Sequence, residues 1–147
     1  MAVIEIERAA LPASTFYYAF TPQHLLGALD QVEIGTSLLV AGFPLGFHDT
    51  LHHMPVVRHA VIASSFGLRF QGQGYFLTDE RTHRGTSGSA VVMRVNEKDA
   101  MRSDLPWMLL GVHSARLDVG TRDLKLDEAL GLNCSWYADI LLTLTEN

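Results

Sequence analysis

The stretch "HRGTSGSAVV", residues 83–92, places Ser87 between two glycines and directly ahead of an apolar run with the composition of a strand. A serine hydroxyl attacks nothing until a neighbouring base removes its proton, so this stretch alone describes either a nucleophile or a turn leading into a core. Two hydrolase geometries can be set against it. A nucleophile elbow on a strand-to-helix turn needs glycine two residues after the serine, and here Ser89 follows, with valines behind it. The other geometry places G-x-S-G just before a strand, where the amides of the first glycine and of the serine can face a developing oxyanion. Gly85 and Ser87 have that spacing.

Outward from this segment the chain is punctuated by short apolar runs. They cover Ser37 to Phe43, Pro55 to Ser64, Gly74 to Thr78, Ser89 to Val95, Trp107 to Ser114 and Leu132 to Leu142. Six strands at such spacing predict an all-β chain, a six-stranded antiparallel β-barrel or a sandwich. At the start, "MAVIEIE" (residues 1–7) alternates, with Val3 and Glu5 on one face and Ala2, Ile4 and Ile6 on the other, as a strand would. From Arg8 to Gly35 nothing alternates, and a short helix is possible around Gln23 to Leu29. Polar gaps at Asn96 to Pro106 and Leu117 to Gly131 predict loops, the second with some helical character.

The chain has 147 residues, 48% hydrophobic and 18% charged, which suits one globular domain with a substantial core. Sixteen acidic against eleven basic residues give a net charge of -5, and no Lys/Arg block offers a nucleic-acid footprint. No apolar stretch approaches the roughly 20 residues of a membrane helix, and the start lacks the basic region and apolar core of a signal peptide. Neither nucleic acid nor a membrane is therefore an expected partner. Cys134, the single cysteine, fits a reducing cytosol and equally a disulfide-free exported protein.

Several stretches, in the right order, resemble the trypsin-like (chymotrypsin-fold) serine peptidases, in particular their disulfide-poor bacterial members. "GTSGSAV" (85–91) is similar to the nucleophile segment, with alanine where proline is common, and "LLGVHSA" (109–115) to the strand bordering the primary specificity pocket. "VAGFPLGF" (40–47) and "VVRHAVIAS" (56–64) resemble the first hairpin of the second barrel, and "SWYADILL" (135–142) its final strand. "AVIEI" (2–6) is similar to the strand after the catalytic aspartate. The resemblance implies residues 1–35 as the last strand of a first barrel plus connector, and 36–147 as the C-terminal barrel. It places the triad histidine and aspartate upstream of Met1.

What the resemblance implies is half an active site, with Ser87 as nucleophile and Gly85 and Ser87 as oxyanion donors. Pocket residues would be Thr82, Arg84, His113, Ser114 and Ala115, and the chain alone would be inert. Thr82 and His113 resemble the pair of the glutamate-specific branch. The chemistry is consistent, since a desolvated carboxylate needs hydroxyl and imidazole donors, while Arg81 and Arg84 add positive potential. Arg81 stands where a trypsin-type pocket would carry an acid. Implied partners are a peptide or protein substrate, and either the first barrel or a second copy pairing through residues 2–6. The alternative is a non-catalytic peptide-binding module. No cofactor is implied. "FHDTLHHM" (47–54) offers His48, Asp49, His52 and His53 as a rival metal constellation, but flanking strands make it a hairpin loop without a fourth ligand, so no metal is expected. His24, His59 and His83 read as ordinary packing or solvated histidines, and Cys134 as a structural thiol.

Overall fold

In the computed structural model, which describes residues 2–13, 18–25, 32–95, 104–117 and 130–146, the six apolar runs become six strands. They are β1 (Ser37–Gly42), β2 (Val56–Ile62), β3 (Tyr75–Asp79), β4 (Ala90–Arg94), β5 (Trp107–Arg116) and β6 (Leu132–Tyr137). All pairings are antiparallel, and the order β1-β2-β3-β6-β5-β4 closes on itself. Closure comes from Leu39, Val40 and Ala41 of β1 pairing with Val92, Val91 and Ala90 of β4.

Alternation decides what faces the interior. Cross-strand partners share a face, so Val40 with Val91, Leu38 with Ala60, Ile62 with Thr78 and Gly111 with Tyr137 line the inside. Phe66, Phe76 and Tyr137 fill it, with ring centroids 4.9 to 5.1 Å apart, and the Tyr137 hydroxyl donates to the Phe66 carbonyl at 2.7 Å. This apolar core occupies only part of the inside. Continuing along the same faces, the buried residues become Thr78 and Glu80, Asn133 and Ser135, and His113. Two bulges interrupt β5, one opposite Val91 and Val92, the other between His113 and Ala115, where Ser114 is the extra residue.

Two expectations differ from the structure. Leu132 to Leu142 is not one strand: β6 ends at Tyr137, and Ile140–Thr145 forms a helix, α1. The leucines there favour a helix, and Ala138 and Leu141 pack outside the barrel with Val92, Leu109, Leu25, Leu39 and Trp107. Residues 2–7 form no strand and lie exposed, because a closed ladder leaves no edge for them to join. Among the described residues of the connector, Arg8–Ala10 and Pro22–His24 each form a 3-10 turn, and Leu25 bridges Leu109 of β5. The rest of Gln23 to Leu29, and most of the Asn96–Pro106 and Leu117–Gly131 loops, lie outside the described residues.

Replacing Tyr137 with Phe strips the Phe66 carbonyl of its buried donor. We expect a loss of about 1–3 kcal/mol in urea unfolding, and an unchanged midpoint would mean that water satisfies that carbonyl.

Candidate functional site

Beyond β3 the chain crosses the barrel rim as residues 80–89, and two glycines shape this loop. Gly85 has φ +90°, and a Cβ placed on it would lie 2.6 Å from the Phe43 carbonyl oxygen and 3.2 Å from the Leu45 nitrogen. Only glycine allows both that backbone and that approach to the β1–β2 loop, where the Leu45 amide donates to the Arg84 carbonyl. Gly88, φ +89°, turns the chain into β4. Its amide donates to the His113 carbonyl at 2.8 Å, and the His113 amide donates to the Ser89 carbonyl at 2.9 Å. The Thr86 amide and hydroxyl both donate to the His83 carbonyl, at 3.2 and 2.7 Å.

The exposed Ser87 lies between these glycines, and its hydroxyl donates to the Ser114 carbonyl, presented by the bulge in β5. Among the described residues no imidazole is hydrogen-bonded to Ser87, and the amides of Gly85 and Ser87 donate to no carbonyl. Beside Ser87 opens a cavity of about 460 Å³ lined by Thr82, His83, Arg84, Ser87, His113, Ala115 and Arg116. The structure thus brings Ser87, Thr82, Arg84, His113 and Ala115 together, with Ser114 entering through its carbonyl. Gly85 shapes the same turn without lining the cavity, and Arg81 is exposed outside it. The lining carries two arginines, Arg84 and Arg116, and no acidic residue, which suits an acidic ligand.

Below the cavity lies a buried polar floor. Asn133 holds it to the loop: its Nδ2 donates to the carbonyls of Glu80 (2.8 Å) and Gly131 (2.9 Å), and its Oδ1 accepts the Thr82 hydroxyl. The Thr82 proton is therefore directed at Asn133 rather than into the cavity. Arg116 Nη2 donates to the Thr82 carbonyl at 3.0 Å. Glu80 is 5% exposed and His113 3% exposed, with His113 Nδ1 at 3.6 Å from Glu80 Oε1. That separation exceeds a hydrogen bond, and both carboxylate oxygens, His113 Nδ1, Thr78 Oγ1 and Ser135 Oγ have no partner among the described residues. Burial pushes Glu80 up to about 7, partly offset by the Arg58 guanidinium, and pushes His113 down to about 4.

Sequence reading missed Glu80, Asn133 and Arg116, and took His83 as ordinary although it lines the cavity. The alternation Phe76, Thr78, Glu80, Thr82, all buried, is the signal that could have found Glu80. The remaining histidines lie away from this cavity. His24 is fully buried, accepting from the Thr21 amide through Nδ1 at 2.8 Å, with Nε2 at 2.7 Å from Asp104 Oδ1. His52 Nδ1 lies 2.8 Å from Asp49 Oδ2, which holds the Asp49 carboxyl below its ordinary value; His48 Nδ1 donates to the Gly46 carbonyl at 2.7 Å; and His59 is exposed on β2. Among the described residues no three His, Cys, Asp or Glu side chains converge on one point. Cys134 is half-buried and its thiol is raised by burial. Compared with protein-family profiles and with curated proteins, the chain matches none.

The two buried titrations act on stability with opposite signs. Glu80, raised from 4.5 to about 7, keeps in the fold a proton that the unfolded chain releases, so its contribution is lost as pH rises through that window. His113, lowered from 6.5 to about 4, lets the unfolded chain take up a proton first, so its contribution is lost as pH falls from 6.5. Glu80→Gln removes only the first effect. Its stability gain over wild type should grow from about 1 kcal/mol near pH 5 to about 3 kcal/mol at pH 8. A gain independent of pH in urea unfolding would contradict a buried carboxyl that titrates there.

Proposed function

We propose that this barrel is the rear lobe of a trypsin-like serine endopeptidase, carrying the nucleophile, the oxyanion donors and the specificity pocket. The observation that supports it most is the position of Ser87. It projects from a glycine-flanked turn just ahead of β4, at the mouth of a cavity built from β5 and the 80–89 loop. In the proposed reaction Ser87 Oγ attacks the scissile carbonyl carbon, and the amides of Gly85 and Ser87 receive the oxyanion. The amine leaves with a proton, an acyl-serine remains, and water hydrolyses it. The serine proton now points at the Ser114 carbonyl, which is no base, so the chain alone is inert until a second lobe supplies an imidazole and its carboxylate.

The basic lining favours a substrate with an acidic side chain, seated against Thr82, Arg84, His113, Ser114 and Ala115. One observation favours a second reading, a binding module that holds a peptide without cutting it: the Ser87 hydroxyl is engaged with a main-chain carbonyl. The codons upstream of Met1 separate the two. A stop codon ahead of a genuine ribosome site favours the module; an aspartate just upstream and a T-A-x-H segment further up favour the enzyme.

A fluorophosphonate probe tests the nucleophile. We expect negligible labelling of this chain alone, and one label on Ser87, abolished in Ser87→Ala, when the lobe encoded upstream is present. An unlabelled Ser87 in that two-lobed protein would sink the catalytic reading.

The same reading leaves residues 2–6, with Val3, Ile4 and Ile6 exposed, to be covered by the first lobe or by a second copy. For the chain alone we expect a dimer in light scattering, and a monomer once Ile4 and Ile6 are both changed to Glu. A wild-type monomer with that segment ordered and bare would contradict it.

A further inference from the structure

The buried polar floor contains one group, Glu80, that the proposed chemistry does not use. Glu80, whose carboxylate oxygens both lack partners, sits 3.6 Å from His113 Nδ1, itself unpartnered, and His113 lines the cavity. An imidazole has two nitrogens on opposite sides of the ring, so with Nδ1 turned to Glu80 the Nε2 is left to meet a ligand. A small rotation of either side chain converts 3.6 Å into a hydrogen bond, and the direction of that bond determines what Nε2 offers.

We propose that Glu80 is a positioning residue that sets the tautomer of His113, and through it decides whether the cavity accepts a carboxylate. When Glu80 carries a proton it donates to Nδ1, the ring hydrogen resides on Nε2, and Nε2–H donates to a ligand carboxylate. When Glu80 is ionised it accepts Nδ1–H, and Nε2 presents a lone pair that repels the same carboxylate. On ionisation Nδ1 takes the proton from the Glu80 O–H, and Nε2 releases its own proton to solvent, so one O–H and one N–H bond break, one N–H bond forms, and a single proton leaves the site.

The surroundings allow this. Arg58 from β2 pulls Glu80 toward ionisation, burial pushes it the other way, and the balance lies about 7, where either state is accessible. Thr78 from β3 and Ser135 and Asn133 from β6 bring no charge, and Tyr137 gives its hydroxyl to Phe66. Arg84 and Arg116 line the cavity and hold its potential positive in both states, so the switch acts through hydrogen-bond direction on top of a constant attraction. His113 stays neutral throughout because burial holds it near 4.

The ligand half of this inference rests on the acidic-pocket reading above, while the tautomer half does not. Long-range proton–nitrogen NMR of the full chain reads the tautomer without ligand. We expect His113 as the Nε2–H form at pH 6, converting toward Nδ1–H as pH rises to 8.5, and a single pH-independent form in Glu80→Gln. Acetyl-dialanyl-glutamate amide should bind at pH 6 in preference to the glutamine amide, then weaken about tenfold per pH unit above 7. That weakening should vanish in Glu80→Gln. Calorimetry of the wild type in two buffers of different ionisation enthalpy should show uptake of one proton per bound glutamate peptide at pH 8. A His113 tautomer that is constant from pH 6 to 8.5, or a Glu80→Gln protein with the wild-type pH profile, overturns the role of Glu80. Tautomer exchange without preference for the glutamate peptide overturns the acidic pocket and the ligand half alone.

Discussion

Everything in this fold depends on the pairing of β1 with β4, where three residues of each strand close the ladder. Closure satisfies the backbone of both strands and removes any free edge, and it also fixes an inside of limited width. Each inward position must then be filled by a side chain of suitable size and polarity. Over most of the length that means leucine, valine and aromatic rings. Toward the rim the same faces carry threonine, asparagine, serine, histidine and glutamate, and there the cavity opens.

That polar end is held together by few hydrogen bonds. Asn133 alone ties β6 to the carbonyl of Glu80 and the hydroxyl of Thr82, setting the height of the loop above the barrel. Unsatisfied groups beside it, the Glu80 carboxylate and His113 Nδ1 among them, are expensive in an interior of low dielectric. Burial therefore drives both toward their neutral forms, which makes the region weakly charged inside while the arginines around the mouth remain charged. A buried polar floor beneath a basic rim suits recognition of an anion better than stability, and stability is what the buried carboxyl gives up at higher pH.

Much of the barrel was legible in the sequence because apolar alternation and turn residues are local signals. Six runs became six strands, and their limits held within a residue or two except at β6. There the apolar letters continue past Tyr137, and composition cannot distinguish a strand's tail from a helix packed on the outside; only the partners, Leu25, Leu39 and Leu109, make the difference. The alternation of residues 2–6 was equally legible, but a strand needs a neighbour, and this closed barrel offers none. The grouping of Ser87, Thr82, Arg84, His113 and Ala115 was expected from the resemblance. Glu80 was not, since a charged residue in the run Asp79-Glu80-Arg81 after a strand looks like a solvated loop unless the inward series from Phe76 is followed one step further. Asn133, inside an apolar run, gave no hint that it would bridge to a loop 51 residues earlier.

Two extra residues in β5, Leu110 and Ser114, divide that strand into three parities. From Gly111 to His113 the strand keeps the facing of Tyr137 and Ser135; past Ser114 the count is offset by one, so that Ala115 pairs with Cys134 and Arg116 with Asn133. Deleting Ser114 would turn the remainder of the strand inside out, taking Arg116 off the face that it now shares with Asn133. The carbonyl that accepts the Ser87 hydroxyl would be lost with it. In this barrel the length of β5 at Ser114 therefore matters more than which residue stands there, because Ser87 uses that residue's carbonyl and not its side chain.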